Sequence, residues 1–109
     1  MTPRTGKHLE DTAETQAQVA MLKALAHPVR LGMMRELAVR PDTCACDFTE
    51  LFAVSQPTIS QHLKVLREAD LVTTLRRGTQ ICYSARPEAV ASLGRLFTGL
   101  APVRQDGAG

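Results

Sequence analysis

The sequence predicts a mainly α-helical domain carrying one β-hairpin, and three observations predict it. Apolar residues recur with helical spacing in five stretches between residues 11 and 100. Two of these, residues 47–53 and 56–69, are separated only by the turn at Val54-Ser55. After Asp70 the period changes to two, with a turn signal at Arg77-Gly78. The resulting order is α-α-α-α-β-β-α. Two helices joined by so short a turn, followed by a hairpin and a closing helix, define a winged helix-turn-helix.

A chain of 109 residues with 44% hydrophobic content makes one small domain. Tryptophan is absent and aromatics make up 4%, so the core must be aliphatic. Domains this small often gain stability by dimerising. The net charge is only +2, so any basic footprint for a polyanion must be local. No stretch approaches the roughly 20 apolar residues of a membrane span, and the N-terminus lacks the apolar core of a signal peptide. The expectation is a soluble, cytoplasmic protein with no membrane partner. Three cysteines is an odd number, which in a reducing compartment favours thiols or metal ligands over a disulfide framework.

Residues 1–10 read as a flexible polar arm, 11–100 as the domain and 101–109 as a loose tail. The first helix begins near Asp11, where Asp11 and Glu14 have capping-box spacing. Val19, Leu22 and Ala26 share one face, with Met21 and Leu25 beside them. His27-Pro28 breaks the helix, because a residue before proline is pushed out of the helical region. Pro28 then opens a second helix to about Val39, with Val29, Met33 and Leu37 in register. Arg40-Pro41-Asp42 ends it. A short third helix starts at Asp47, read as an N-cap acid with Glu50 three residues on.

The fourth helix is the most informative. Ser55 is its N-cap, Pro57 falls in the first turn, and Ile59, Leu63 and Leu66 form a buried stripe. The other side carries Gln56, Thr58, Ser60, Gln61 and Lys64. A merely solvated face would be richer in Glu and Lys. Gln, Ser and Thr can donate to and accept from base edges in a DNA major groove, and Lys64 suits a phosphate. In the hairpin, Leu71, Thr73 and Leu75 alternate with Val72, Thr74 and Arg76; Thr79, Ile81 and Tyr83 alternate with Gln80, Cys82 and Ser84. Its basic tip, Arg76 and Arg77, can lie along phosphates or reach a minor groove. Pro87 opens the last helix, with Val90, Leu93, Phe97 and Leu100 as its apolar stripe.

With these residues in view the chain resembles the ArsR/SmtB family of bacterial metal-responsive repressors over about residues 17–100. Leu25-Ala26-His27-Pro28-Val29-Arg30-Leu31 resembles the family's opening helix junction, and Ser55-Gln56-Pro57-Thr58-Ile59-Ser60-Gln61-His62-Leu63 its recognition helix. Arg77-Gly78 and Tyr83 resemble its wing. Cys44-Ala45-Cys46-Asp47 resembles the Cys-Val-Cys-Asp element of arsenic and antimony sensors. The resemblance implies a homodimer built on the first and last helices. It also implies double-stranded operator DNA as partner and repression of a resistance operon, relieved by an inducer. The expected DNA contacts are Ser55, Gln56, Thr58, Ser60, Gln61, His62, Lys64, Arg76 and Arg77. The expected ligands are Cys44 and Cys46, with As(III) or Sb(III) as inducer and no organic cofactor.

If the third helix starts at Asp47, both cysteines lie in extended chain, where residues i and i+2 share a side and can converge on one soft ion. Such ions take three thiolates, and the third is open. Some arsenic sensors carry a further cysteine where this chain has Thr49; others borrow from the first helix, which here has none. Cys82, opposite Ile81 and Tyr83 on its strand, is the remaining thiol. It reads either as that third ligand or, the preferred reading, as a small residue packed against the wing or next helix. An external thiol is a further alternative. The last helix lacks the Asp and His ligands of the family's interfacial zinc site. His8 lies in the arm, His27 reads as a backbone hydrogen-bonder at the junction, and His62 reads equally as a phosphate neighbour or as a packed side chain.

A repressor whose cysteines oxidise, or pair with Cys82, is the alternative signal reading. A thiol enzyme is disfavoured: Cys-x-x-Cys, a Gly-rich phosphate loop and paired catalytic groups are all missing. A helical interaction module with a simply solvated fourth helix is the remaining competitor.

Overall fold

The structure, a computed structural model, describes residues 12–103. The arm at 1–10 and most of the tail at 101–109 lie outside the described residues. Five helices and three strands follow in the order α1 (Ala13–Leu25), α2 (Pro28–Val39), β1 (Thr43–Cys44), α3 (Ala45–Phe52), α4 (Gln56–Glu68), β2 (Val72–Arg77), β3 (Gln80–Ala85) and α5 (Pro87–Leu100). The expected winged helix-turn-helix is present, with one addition. The hairpin β2–β3 is joined by the two-residue β1, giving an antiparallel sheet in the order β1-β3-β2.

Thr12, not Asp11, caps α1: its side chain accepts from the Thr15 amide. The inner face of α1 is Gln18, Met21 and Ala24, whereas Val19 is exposed, so the face predicted around Val19, Leu22 and Ala26 is rotated. Gln18 can be buried because Nε2 donates to the Ser92 carbonyl and hydroxyl, each at 3.1 Å. Pro28 opens α2 as expected, and Met33 and Leu37 are fully enclosed. The core joins them to Phe48 of α3, Ile59, Leu63 and Leu66 of α4, and Leu71. Burying the Ile59, Leu63 and Leu66 side chains stabilises α4 against the rest by about 1.5–3 kcal/mol each.

Three details place the site. Asp42, at φ +68, turns the chain after α2, and its amide donates to Ser84 Oγ at 2.9 Å. Thr43 Oγ1 donates to the Arg40 carbonyl at 2.6 Å, satisfying an end group of α2. Both bonds feed the chain into β1, where Thr43 pairs with Tyr83 and Cys44 with Cys82. The wing turn is Gly78-Thr79, one residue later than Arg77-Gly78, since Arg77 pairs with Gln80. Gly78 sits at φ +63, the left-handed conformation a two-residue hairpin loop demands. The stripe predicted for α5 is only partly internal: Leu93 is buried, but Val90, Phe97 and Leu100 are exposed.

Candidate functional site

α4 presents the flank expected of it. Ser55 caps the helix, accepting from the Thr58 amide at 3.4 Å and donating to Thr58 Oγ1 at 3.0 Å. Ser55, Gln56, Thr58, Ser60, Gln61 and Lys64 are all exposed, while Ile59, Leu63 and Leu66 are sealed inside. Ser55 and Thr58 are already engaged with each other, leaving Gln56, Ser60 and Gln61 as the freer hydrogen-bonding groups.

His62 takes the packed alternative. Its ring lies 4.4 Å from that of His27, centroid to centroid, and its Nδ1 is 3.3 Å from an Arg30 guanidinium nitrogen. Arg30 Nε also donates to the Ala24 carbonyl at 2.6 Å, and His27 Nδ1 accepts from the Val29 amide. The α1–α2 junction is thereby tied to the middle of α4. Burial, then the neighbouring His27 and Arg30, hold the His62 pKa below its usual value of 6.5. On the wing, Arg76 and Arg77 are exposed, and Arg77 is ion-paired with Asp42.

The cysteines are arranged differently from expectation. α3 begins at Ala45, two residues early, so only Cys44 is in extended chain and Cys46 lies in the first helical turn. Pairing with β3 ends at Cys44, which becomes the N-cap, and Asp47 falls inside the first turn, where its charge complements the helix dipole. Cys46 is exposed, with Sγ 3.5 Å from Gln80 Oε1 of the wing. Cys82 is fully buried, as the packed reading holds, but it also reaches Cys44: the two are cross-strand partners with Cα atoms 3.9 Å apart, joined as a disulfide. Sequence reasoning placed Cys82 on the correct side of its strand. It offered a pairing with Cys82 only as an alternative, because a two-residue strand leaves no periodicity. Among the described residues, no group of three or more His, Cys, Asp or Glu side chains stands assembled to hold a metal ion. A cleft of about 330 Å³ separates Cys46 and Gln80 from Gln56 and Ser60, so sulfur and recognition helix border one space.

An exposed, uncharged flank on the second helix of a helix-turn-helix, beside a wing with basic residues, defines a DNA-binding transcriptional regulator. Comparison with known proteins narrows the class. Residues 27–74 match the family described as bacterial regulatory protein, arsR family. The chain is 46% identical over 71 residues to an arsenical resistance operon repressor of Bacillus subtilis, covering 65% of this chain and 68% of that protein. It is 35% identical over 98 residues to a transcriptional repressor SmtB homolog of Synechocystis, covering 81% and 74%. Among solved structures, a possible transcriptional regulator for arsenical resistance superposes with a TM-score of 0.66 at 33% identity, covering 72% of this chain and 81% of that one. The chain belongs to the ArsR family. It is a transcriptional regulator, not an enzyme. No helix among the described residues is long and apolar enough to cross a membrane.

Proposed function

We propose that this metalloid-responsive transcriptional repressor works in the cytoplasm as a homodimer that binds operator DNA and lets go when As(III) or Sb(III) engages Cys44 and Cys46. The observation that carries the reading is the shared cleft: Cys46 faces the same space as Gln56 and Ser60 of the recognition helix. Two recognition helices enter successive major grooves about 34 Å apart. Gln56, Thr58, Ser60 and Gln61 meet base edges, with Ser55 holding the helix start. Lys64, Arg76 and Arg77 meet phosphates, and His62 orients α4 through Arg30. Once the Cys44–Cys82 bond is reduced, the donor set fits the inducer, because thiolates are the soft ligands that thiophilic metalloids select. Exposed Val19 on α1 and Val90, Phe97 and Leu100 on α5 support dimerisation through the first and last helices.

Inducer binding shifts the population toward the DNA-free state by its differential affinity, typically 1–3 kcal/mol of coupling, or about 5–150-fold in operator affinity. The test is operator binding by reduced protein with and without arsenite. A Cys44→Ser/Cys46→Ser variant is expected to bind operator with unchanged affinity and to ignore arsenite. A normal arsenite response in that variant overturns the cysteine assignment.

The Cys44–Cys82 disulfide favours a second reading, a thiol redox switch. There a peroxide oxidises the pair: two thiols and one hydrogen peroxide give the disulfide and two waters. Release of operator by peroxide in metalloid-free buffer separates this signal from the first.

A further inference from the structure

We infer that His27 and His62 form an acid-sensitive latch: protonation loosens the recognition helix from the α1–α2 junction and releases operator without any metalloid. This signal is independent of the cysteines and rests on the reading of α4 as the helix that meets DNA.

The hydrogen bonds carry it. His27 is the N-cap of α2, and its Nδ1 accepts from the Val29 amide at 3.0 Å. His62 Nδ1 lies 3.3 Å from an Arg30 guanidinium nitrogen. A backbone amide and a guanidinium are obligate donors, so each imidazole must offer Nδ1 as an acceptor and carry its proton on Nε2. Both bonds therefore exist only while the rings are neutral. The ring centroids are 4.4 Å apart, so a charge on one ring is felt by the other. Arg30 cannot turn away easily, because its Nε is held by the Ala24 carbonyl at 2.6 Å. It belongs to none of the ion pairs among the described residues.

A proton on Nδ1 sets donor against donor. On His62 it breaks the bond to Arg30 and places a second cation beside the guanidinium. On His27 it removes the cap of α2 and puts positive charge at the positive end of that helix dipole. Among the described residues, the charges that act on His62 are His27 and Arg30, with no carboxylate to offset them. From α1 the cluster receives the Ala24 carbonyl, while Lys64, Arg67 and Glu68 of α4 itself are exposed. The lowered pKa of His62 agrees with this setting. α2 also abuts the end of α3: a Cβ on Gly32 would come within 2.8 Å of the Phe52 ring, so the start of α2 cannot shift without disturbing α3. The junction thus touches both helices of the helix-turn-helix. Acid shifts the population toward a form in which α4 is no longer held for the groove. A phosphate contact by His62 has the opposite sign, since a protonated ring would tighten the complex.

The test uses the full chain, reduced with a phosphine in metalloid-free buffer of fixed ionic strength. The probe is a labelled duplex that the protein selects at pH 7.5 from a random-sequence pool, and its affinity is followed by fluorescence anisotropy down to pH 5.5. Wild type is expected to bind about three- to tenfold more weakly at pH 5.5 than at pH 7.5, within the limit of about tenfold per pH unit for one proton. The double variant His27→Asn/His62→Gln keeps a side-chain acceptor at each place and removes the titration. It is expected to change by less than about twofold over the same range. His8 is present in both proteins and cancels. An equal fall in wild type and the double variant overturns the latch, as does a wild-type affinity that stays level or rises in acid. Unfolding of wild type, seen by circular dichroism before the affinity falls, overturns it too. Wild type alone gives a second reading: nitrogen NMR shifts are expected to show Nδ1 of both rings unprotonated at pH 7.5. A proton on either Nδ1 at that pH overturns the latch even where the double variant fails to fold. Failure to select any duplex at pH 7.5 sinks the DNA-reading role of α4 itself, whereas a pH-independent affinity sinks the latch alone.

Discussion

His62 shows how a single side chain couples parts of the molecule. It sits in the recognition helix, yet its Nδ1 and ring face contact Arg30 and His27 at the α1–α2 junction. Its lowered pKa has a definite consequence for stability. Above about 6.5 the ring is neutral in folded and unfolded chains alike, and nothing is lost. As pH falls through that value the unfolded chain takes up the proton first, so stability declines until the folded-state value is passed. His62→Gln keeps a hydrogen-bonding group without the titration. Urea melts across pH 5–8 are expected to show a shallower acid-side decline in His62→Gln than in wild type; parallel decline in the two contradicts the assignment. The sequence left His62 open between phosphate neighbour and packed group, because the choice depends on Arg30, 32 residues away, whose reach no local pattern records.

At the scale of elements, the helix-turn-helix contains an unusual residue. Ala53 caps α3 in the left-handed conformation, φ +52, which a side chain disfavours and glycine adopts freely. Replacing it with glycine relieves roughly 1–2 kcal/mol of that cost, offset by about 0.5–1 kcal/mol of extra chain entropy in the unfolded state. Ala53→Gly is therefore expected to raise the melting temperature by a few degrees, and a lowered one argues against this turn geometry. The elements most legible in the sequence were those with strong termini: Pro28 after His27, Ser55 with Pro57, and the period-two run after Asp70. α3 was the least legible. Cys44, Ala45 and Cys46 carry no helix signal of their own, and the start of the helix is set by where β1 stops pairing with β3. The same pairing brings Cys44 to Cys82, a contact the sequence offered only as an alternative.

At the scale of the whole molecule, α5 leaves most of its apolar stripe outside the protomer core. The sequence showed Val90, Leu93, Phe97 and Leu100 as one stripe, but the protomer encloses Leu93 alone. Helical periodicity reports an apolar face without saying whether the covering partner lies in the same chain. The homodimer proposed above covers this face with a second copy. The inside and outside of α4 were legible almost residue by residue, because Gln56, Ser60, Gln61 and Lys64 remain outside and Ile59, Leu63 and Leu66 inside.

The measurement that bears most directly on DNA recognition by α4 is a salt series of operator and non-specific duplex binding by wild type, Gln61→Ala and Lys64→Ala. A base-reading Gln61 predicts a loss of about 1–3 kcal/mol, or roughly ten- to hundredfold, on the operator alone, with the salt slope unaltered. A phosphate-bound Lys64 predicts weaker binding to both duplexes and a slope reduced by about 1. Operator affinity and salt slope unchanged in both variants contradict a DNA-facing α4.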